Sequence, residues 1–481
     1  MEDNPLAPFG KGEYGEAGRV PTTRCASKDF SQLPFCKADF KVRMHLLRKL
    51  AFGLVMAFGI AIPALLLFVL TEWLLLACIV LLVVWMALTP TGQQTWSVAS
   101  VGIATLPQRF GASAVVVAGV AGVVGVLVAL LAMGAGFEAT LMQTGTDDSA
   151  IVLQAGAQSE LNSAVTPEIS ALVSQAPQIR KNAQRQSMVS PELVITAMLR
   201  NKGGHDANVV IRGVGEQAWD LRPEVKIATG RKFTPGLQEL IVGKGIHTQF
   251  AGAQIGSTLT LNGQPWAVVG IFDSGDAHDS EIWADTNVVG SAFQRGTSKT
   301  SLTVQLTDVH ALHTFKARLA NDPRLKVEVQ TTREYYGRQS AAFTRIIRIL
   351  GTTVGAIMAF GALFGVLNTM YSAVAARARE IATLRAIGFR PVPMIVSILL
   401  ETMLLAVTGG AIGAAVSWAV FDGFTASTVG ANSSQMVFAF KVSPALLWNG
   451  LKWALAIALM GGLFPAVRAA RMSITAGLRE L

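Results

Sequence analysis

Residues 377–391 of this 481-residue chain read RAREIATLRAIGFRP, a short charged segment between two long apolar ones. The apolar stretches on either side, residues 343–374 and 393–420, are each long enough to cross a bilayer as a helix. Positively charged segments between membrane spans are held on the cytoplasmic side. The sequence therefore predicts a cytoplasmic helix here, placed where a soluble partner can reach it.

The composition is typical of a membrane protein with a sizeable soluble part. Hydrophobic residues make up 51% of the chain, and the mean hydropathy is +0.45. The net charge of +9 comes from Lys and Arg gathered beside the apolar segments, so it indicates membrane topology and not nucleic-acid binding. Cys25 and Cys36 have no supporting histidine pattern nearby, and no cysteine falls between residues 140 and 340, so neither a metal site nor a disulfide there is expected.

Six apolar segments predict a polytopic α-helical membrane protein with about six spans. The first two are separated only by Thr71 and Glu72 and read as a tight hairpin. Arg109 before the third span and Glu138 after it place residue 109 inside and residue 140 outside, and the even count places both termini in the cytoplasm. The predicted segments are a tail at 1–45, a transmembrane hairpin at 46–90, spans at 97–137, 343–376, 393–421 and 445–465, a cytoplasmic helix at 377–392, an external loop at 422–444 and a cytoplasmic tail at 466–481.

Residues 138–342 predict an α+β extracytoplasmic domain between spans three and four. Turn residues recur there, and Asn262-Gly263 between two alternating runs is a strong hairpin signal. A stretch of roughly 200 residues is large enough to bury a core of its own. Strands are predicted at 209–214, 239–246, 257–272, 280–285, 301–308 and 326–331, and helices near 166–176 and 309–321.

A helix starting near Thr332 is predicted to run unbroken through the fourth span to Ala376. About 40 helical residues extend roughly 60 Å, which exceeds the thickness of a bilayer, so this helix is expected to project toward the external domain as a stalk. Glycines in spans three and four are expected to let helices approach closely in lipid. These glycines are Gly119, Gly122, Gly351, Gly355, Gly361 and Gly365.

No residue pattern predicts catalysis, a metal site or a nucleotide site. Gly243-Lys244-Gly245 lacks the hydroxyl residue and the glycine spacing of a phosphate-binding loop. His310 and His313 lie one helical turn apart, which favours a solvated helix face. An acidic cluster favours a solvated loop over a cation or substrate contact; its members are Asp273, Asp276, His278, Asp279 and Glu281. The chain is therefore expected to be a non-catalytic subunit without a cofactor of its own.

The charged helix mixes charged and apolar residues on one face, which suits docking on a protein better than immersion in lipid. A basic anchor beside the membrane, without a partner, is the alternative. Gly388, Pro391 and Pro393 are expected to end the helix. The residues predicted to form the docking surface are Arg377, Arg379, Glu380, Ile381, Leu384, Arg385, Ile387 and Gly388.

Two motifs resemble those of a known family. ARAREIATLRAIGFRP (residues 376–391) resembles the cytoplasmic coupling helix of FtsX-like permeases, the ABC transporter class that includes MacB, LolC/LolE and BceB. FPAVRAARMSITAGLREL (residues 464–481) resembles the ending of that family, with Ser473-Ile474 in place of a small residue and proline. Residues 138–340 resemble the MacB-type periplasmic core domain. The resemblance covers about 97–481, and the preceding hairpin is an addition to the four-span family minimum.

The resemblance implies a permease subunit of the mechanotransmission type in a bacterial inner membrane. A separate ABC ATPase, carrying ATP and Mg²⁺, is expected to bind the charged helix, because no ATPase domain is fused to this chain. A second permease chain, identical or a sister, is expected to meet this one along the glycines, with membrane lipid and a periplasmic adaptor or lipoprotein as further partners. The expected function is export or extraction of lipid, lipoprotein, peptide or drug. Control of a cell-wall hydrolase or sensor, and a scaffold without an ATPase, are the alternatives.

Overall fold

The computed structural model describes residues 72–429 and 434–475, all within one compact unit, Pro63–Leu481. The predicted N-terminal tail, the first helix of the predicted hairpin and residues 476–481 of the C-terminal tail lie outside the described residues, as do Cys25 and Cys36. The described chain joins a bundle of apolar helices to one sheet domain, residues 149–331.

Four of the described helices are long and apolar enough to cross a membrane: α3 with the short turn before it, α9, α11 and α12. Short helices connect the strands of the sheet domain. The helices are α1 (Glu72–Leu88), α2 (Pro90–Ala104), α3 (Phe110–Thr144), α4 (Pro167–Ser174), α5 (Gln217–Leu221), α6 (Lys244–Gln249), α7 (Thr286–Ala292), α8 (Ala311–Ala320), α9 (Thr332–Ala376), α10 (Ala378–Ala386), α11 (Pro391–Phe421) and α12 (Pro444–Arg471).

The predicted helix at 97–137 has the wrong bounds at both ends. Its first residues belong to a separate helix, α2, and α3 ends at Thr144, beyond residue 137. α1 and α2 meet at an angle of 99°. Pro90 has no N–H to continue α1, and it holds Thr89 in an extended conformation (φ −106°, ψ 146°). The Thr89 hydroxyl then accepts a hydrogen bond from Gly92 N at 2.9 Å and caps the start of α2. A second break at Pro107 separates α2 from α3, which then runs on to Thr144. Apolarity alone could not reveal either break.

α9 is a single helix of 45 residues that begins at Thr332, as the sequence predicts. The Thr331 hydroxyl accepts from Glu334 N at 3.0 Å and caps its start. At 1.5 Å per residue α9 extends roughly 68 Å. It therefore connects the sheet domain directly with the opposite end of the helix bundle.

α12 and the preceding loop also differ from the prediction. α12 passes through Pro465 to Arg471, because Gly462 before the proline and Ala466 after it are both buried in the bundle, and membrane helices tolerate such a break in hydrogen bonding. The predicted loop at 422–444 contains a two-stranded hairpin, β11 and β12, bounded by Thr425 and Ala439. This hairpin packs on the sheet domain, where Val437 N donates to Ser280 Oγ at 2.8 Å.

Ten strands form one mixed sheet in the order β10-β1-β9-β2-β3-β8-β5-β7-β4, with β6 paired to β7. All six predicted strand regions contain a strand, and Asn262-Gly263, both at positive φ, connects β6 to β7. The predicted strand at 239–246 ends at Gly243, where α6 begins. The strands are β1 (Ser149–Gln154), β2 (Val189–Arg200), β3 (Asp206–Val214), β4 (Lys226–Gly230), β5 (Glu239–Gly243), β6 (Thr258–Leu261), β7 (Gln264–Asp273), β8 (Glu281–Asp285), β9 (Ser301–Gln305), β10 (Val327–Thr331), β11 (Thr425–Val429) and β12 (Gln435–Ala439).

The long strand β2, which the sequence analysis missed, joins two halves of the sheet. Its residues 189–192 pair with β9, and residues 193–200 pair with β3. Each half has its own apolar core, one around Val304 and Phe315 and the other around Ile211 and Trp266. Glu192 is the last residue of β2 that pairs with β9, so an acidic side chain lies at the boundary between the two cores.

Candidate functional site

The charged segment, residues 377–390, contains one short helix set between two breaks. Arg377 ends α9 and precedes α10 with non-helical backbone angles (φ −105°, ψ 12°). Gly388 follows α10 at φ +108°, a conformation that strongly favours glycine, and Pro391 begins α11. The segment is therefore a turn of fixed geometry at the end of the bundle remote from the sheet domain.

Arg377 was predicted to contact a partner, but its side chain points into the bundle and is only 15% exposed. Its guanidinium pairs with Glu401 at 3.0 Å and donates to the carbonyl of Gly102 at 3.2 Å and to the hydroxyl of Thr105. Glu401 is the one acidic residue of α11. A lone carboxylate in a membrane helix requires a partner, and this is the signal that sequence reasoning overlooked.

Two further predicted docking residues also hold the segment to the bundle. Ile381 is buried with Val374 and Ala469, and Arg385 donates to the carbonyl of Met472. Leu384 is half-buried. The exposed members of the predicted set are Arg379, Glu380, Ile387 and Gly388.

A cavity of about 870 Å³ lies beside the charged segment. Its wall is mostly apolar and comes from α2, the end of α9, α10 and the start of α11. Arg379 and Glu380, both exposed, are among its lining residues. Apolar surface next to exposed charges is the arrangement that a docked protein helix or loop can cover.

The predicted packing glycines fall into two groups. A Cβ on Gly355 would lie 2.8 Å from Leu127 and one on Gly351 would lie 3.3 Å from Leu130, so both glycines let α9 pack on α3 within the chain. Their predicted place in a seam between two chains is therefore wrong. The other four have open space around them within this chain; they are Gly119, Gly122, Gly361 and Gly365.

The centre of the sheet domain contains a buried charge cluster. Arg212 is 2% exposed and uses all five N–H donors on three carboxylates. It lies 2.9 Å from Glu160, 2.7 Å from Glu192 and 2.8 Å from Glu281. These four residues come from separate elements, so the arginine connects both halves of the sheet.

Arg222 extends the cluster by binding Glu192 through both of its terminal nitrogens, at 2.7 and 3.0 Å. Burial by itself raises the pKa of Glu192, but the guanidinium groups of Arg222 and Arg212 outweigh it and lower this pKa to about 2. The carboxylate is therefore charged in the folded protein although solvent does not reach it.

The loop before β8 was expected to be solvated, and this expectation is wrong. His278 is 1% exposed, and its Nδ1 lies 3.1 Å from the Asp276 carboxylate, which is itself buried. Burial lowers the pKa of His278, but the carboxylates of Asp276 and Glu281 raise it more, so the net pKa is raised. The β11–β12 hairpin and the ends of α3 and α9 pack around this loop and exclude water from it.

The charge cluster is bonded to α9, and the loop before β8 is bonded to α3. The backbone N–H of Glu160 donates to the hydroxyl of Tyr335, in the first turn of α9, at 3.1 Å. The backbone N–H of Ala277 donates to the hydroxyl of Thr144, at the end of α3, at 3.0 Å. Among the described residues no group of three or more His, Cys, Asp and Glu could hold a metal ion.

We expect the sheet domain to lose stability as the pH falls from about 4.5 toward 2. The depressed pKa of Glu192 contributes stability that is present above its unfolded value of 4.5 and is lost toward about 2, an effect of about 3 kcal/mol. Glu192→Gln removes this part of the acid dependence. Thermal unfolding of the wild type and of Glu192→Gln between pH 2 and pH 6 measures this loss of stability. If the stability of the two proteins falls in parallel with pH, Glu192 is not its source.

Two family models match the chain. The model described as MacB-like periplasmic core domain matches residues 113–322, and the one described as FtsX-like permease C-terminal matches residues 352–474. The first match includes most of α3 and most of the sheet domain. The second covers most of α9 and then α10, α11 and α12. Helix α2 lies outside both matches.

Several curated proteins are similar to this chain. The macrolide export ATP-binding/permease protein MacB of Sodalis glossinidius is 27% identical over 321 residues, which cover 59% of this chain and 45% of the relative. The protein of the same name from Rhodopseudomonas palustris is 23% identical over 248 residues, covering 48% of this chain and 38% of the relative. The chain thus spans less than half the length of these relatives.

Solved structures of two extracellular or periplasmic regions are also similar. The extracellular domain of the noncanonic ABC-type transporter YknZ from Gram-positive bacteria is 18% identical, covers 38% of this chain and 99% of that domain, and has a TM-score of 0.30. The periplasmic region of MacB from Actinobacillus actinomycetemcomitans is 16% identical, covers 39% and 90%, and also has a TM-score of 0.30.

Proposed function

We propose that this chain, an ABC transporter permease of the FtsX/MacB type, is the force-transmitting subunit of its transporter. A separate ATPase binds the charged segment, and closure of that ATPase on ATP displaces the segment. The displacement reaches the extracytoplasmic sheet domain through α9. The chain itself hydrolyses nothing, and ATP and Mg²⁺ are bound by the partner.

One observation carries the proposal: a single unbroken helix is anchored at both ends. At one end Arg377 is bonded to α2 and α11, and at the other Tyr335 is bonded to the charge cluster. Side chains packed against α3 support the length between them. A helix held in this way moves as one body, so a shift of the charged segment displaces the centre of the sheet domain.

The docking surface is smaller than the sequence predicted. Arg377, Ile381 and Arg385 serve the internal packing, so the ATPase contacts Arg379, Glu380 and Ile387 and inserts a side chain or turn into the 870 Å³ cavity. Charge-assisted bonds to Glu380 and apolar contact at Ile387 provide affinity and register. In this proposal the charged segment lies on the cytoplasmic side of a bacterial inner membrane, where its arginines are favoured.

A second permease chain covers the free face of α9. Gly361 and Gly365 have open space around them, and the large apolar side chains Phe360 and Phe364 beside them are exposed. In a bilayer such small residues let two helices approach closely. Two permeases then share two ATPases, and they export or extract an apolar cargo such as a lipid, lipoprotein, peptide or drug.

The proposal is tested by reversing the charge of Glu380. We expect Glu380→Lys to reduce the amount of ATPase that co-purifies with the tagged chain by about tenfold or more, because an attractive contact becomes repulsive. Mass spectrometry of the wild-type preparation identifies the ATPase first. Glu216→Lys, an exposed position in the sheet domain, is the matched control. Equal ATPase recovery with both variants, or no ATPase with the wild type, would overturn the proposal.

A further inference from the structure

Two arginines of α9 form no ion pair within the described chain. Arg345 and Arg348 lie one helical turn apart, and both side chains are exposed. No carboxylate among the described residues is within ion-pair distance of either guanidinium. By contrast, Arg333 and Arg338, which lie earlier in the same helix, each meet a carboxylate of this chain, at 3.4 Å and 3.8 Å. The pair at 345 and 348 therefore differs from its neighbours.

The depth of the pair along α9 corresponds to the outer headgroup layer of a bilayer. Arg348 lies 29 residues before Arg377, which ends α9 at the charged segment, and this length of helix is about 44 Å. A bilayer with both of its headgroup layers is about 40–45 Å thick. With the charged segment at the inner surface, Arg348 thus reaches the outer lipid phosphates.

Apolar side chains surround the two arginines on the same turns of α9. Ile346, Ile349 and Leu350 are each more than half exposed. Arginine is biased toward the cytoplasmic side of membrane proteins, so an exposed pair at the outer surface is uncommon. Charged heads beside exposed apolar groups are suited to the boundary between lipid headgroups and acyl chains.

A carboxylate of this protein is a poor candidate for the missing anion. Glu138 of α3 lies near the level of the pair, since Gly134, one turn before it, packs on Ile347, but Glu138 forms no ion pair with either arginine. Helical periodicity places Arg345 about 160° around α9 from Gly361. A second permease chain that packs on the glycine face therefore leaves this side of α9 open to lipid.

We propose that Arg345 and Arg348 bind the phosphate of an anionic phospholipid in the outer leaflet. Side chains one turn apart on a helix are neighbours, and guanidinium groups match the oxygens of a phosphate through paired N–H donors. Ile346, Ile349 and Leu350 contact the acyl chains. A zwitterionic lipid has a cation of its own beside the phosphate, so the anionic lipid is preferred. The inference rests on the membrane topology of the proposed function and not on its ATPase contact.

Such a lipid binds α9 between its two anchored ends. Tyr335 is bonded to the charge cluster on one side of the pair, and Arg377 is bonded to the helix bundle on the other. A lipid that binds one position of α9 more tightly than another shifts the balance between them. Movement of α9 is then sensitive to the charge of the outer leaflet.

The test is photolabelling of the full chain in phosphatidylcholine nanodiscs with a trace of one of two probes, phosphatidylglycerol or phosphatidylcholine, each with the same photoreactive headgroup substituent. We expect the phosphatidylglycerol probe to label residues 341–353, which mass spectrometry locates after digestion by a protease that does not cut at arginine. Arg345→Gln combined with Arg348→Gln reduces this labelling by about tenfold or more, because two positive charges leave the lipid surface.

Two matched variants make the test specific to this site. Arg333→Gln combined with Arg338→Gln removes two arginines of the same helix that already have carboxylate partners, and it is expected to leave the labelling unchanged. Arg345→Lys combined with Arg348→Lys keeps both charges and is expected to retain part of the labelling. All four positions are exposed, so the unfolding temperature is expected to stay at the wild-type value.

Three results would overturn the inference. The first is equal labelling of residues 341–353 by the two probes, or labelling that the glutamine pair at 345 and 348 leaves unchanged. The second is loss of the label on addition of inorganic phosphate, which would identify a site for the free anion. The third is an absence of label from either probe, as expected if a second copy of the chain covers the arginines. No ATPase takes part, so these results leave the Glu380→Lys test of the proposed function independent.

Discussion

Replacing Arg212 by methionine is expected to unfold the sheet domain or bring it close to unfolding. The change leaves the carboxylates of Glu160, Glu192 and Glu281 buried around an uncharged side chain. Removing one partner of a single buried ion pair typically costs about 3–5 kcal/mol, and here one cation serves three anions. A domain has only about 5–15 kcal/mol of stability to lose. Chemical unfolding followed by the fluorescence of the buried Trp283 measures the change.

The control for this prediction is Arg200→Met. Arg200 forms an ion pair with Asp206 at 3.1 Å, but both side chains are more than half exposed, so its loss is expected to change nothing measurable. Combining Arg212→Met with Glu160→Gln and Glu281→Gln removes the uncompensated charge and is expected to recover part of the stability. Equal free energies of unfolding for Arg212→Met and Arg200→Met would show that the charge cluster contributes little to the stability of the sheet domain.

Replacing Arg377 by methionine is expected to release the charged segment from the bundle. Glu401 loses its cation while its side chain stays 7% exposed, which by analogy with other buried pairs costs about 3–5 kcal/mol. The link to Gly102 and Thr105 is lost in the same step. We expect a lower unfolding temperature and faster hydrogen exchange of the amides of residues 378–386.

Two further variants make the Arg377 prediction specific. Arg390→Met removes an exposed arginine from the same segment and is expected to leave exchange unchanged. Adding Glu401→Gln to Arg377→Met neutralises the stranded carboxylate, so the double variant is expected to be more stable than Arg377→Met alone. If Arg377→Met and Arg390→Met show the same hydrogen exchange and the same unfolding temperature, the inward position of Arg377 has no energetic consequence.

The sequence anticipated the fold wherever the signal was local. The length of apolar runs identified α3, α9, α11 and α12 as helices long and apolar enough to cross a membrane, and Asn262-Gly263 identified the β6–β7 hairpin. Both signals depend on neighbouring residues only. β2 was missed although its residues are strongly apolar, because its two halves pair with different strands and Pro191 interrupts the pattern.

The short helix of the charged segment was predicted from the sequence, but its buried face was not. Ala378–Ala386 form this helix at the end of the bundle, and the helical wheel could not show which of its faces the bundle covers. Arg377 points inward because Glu401 lies 24 residues further along the chain, on another helix. Glu380 remains exposed because no other element of the described chain packs against that side.

By itself, the sequence determined the properties that single segments carry: which helices are apolar enough for a bilayer, where α9 begins, and the family motifs at residues 376–391 and 464–481. Only the tertiary structure decided the partners of the charged residues. Arg212 meets Glu160 across 52 positions and Glu281 across 69. A charge is tolerated in a protein interior only when an opposite charge reaches it, and which one does so depends on the packing of separate elements.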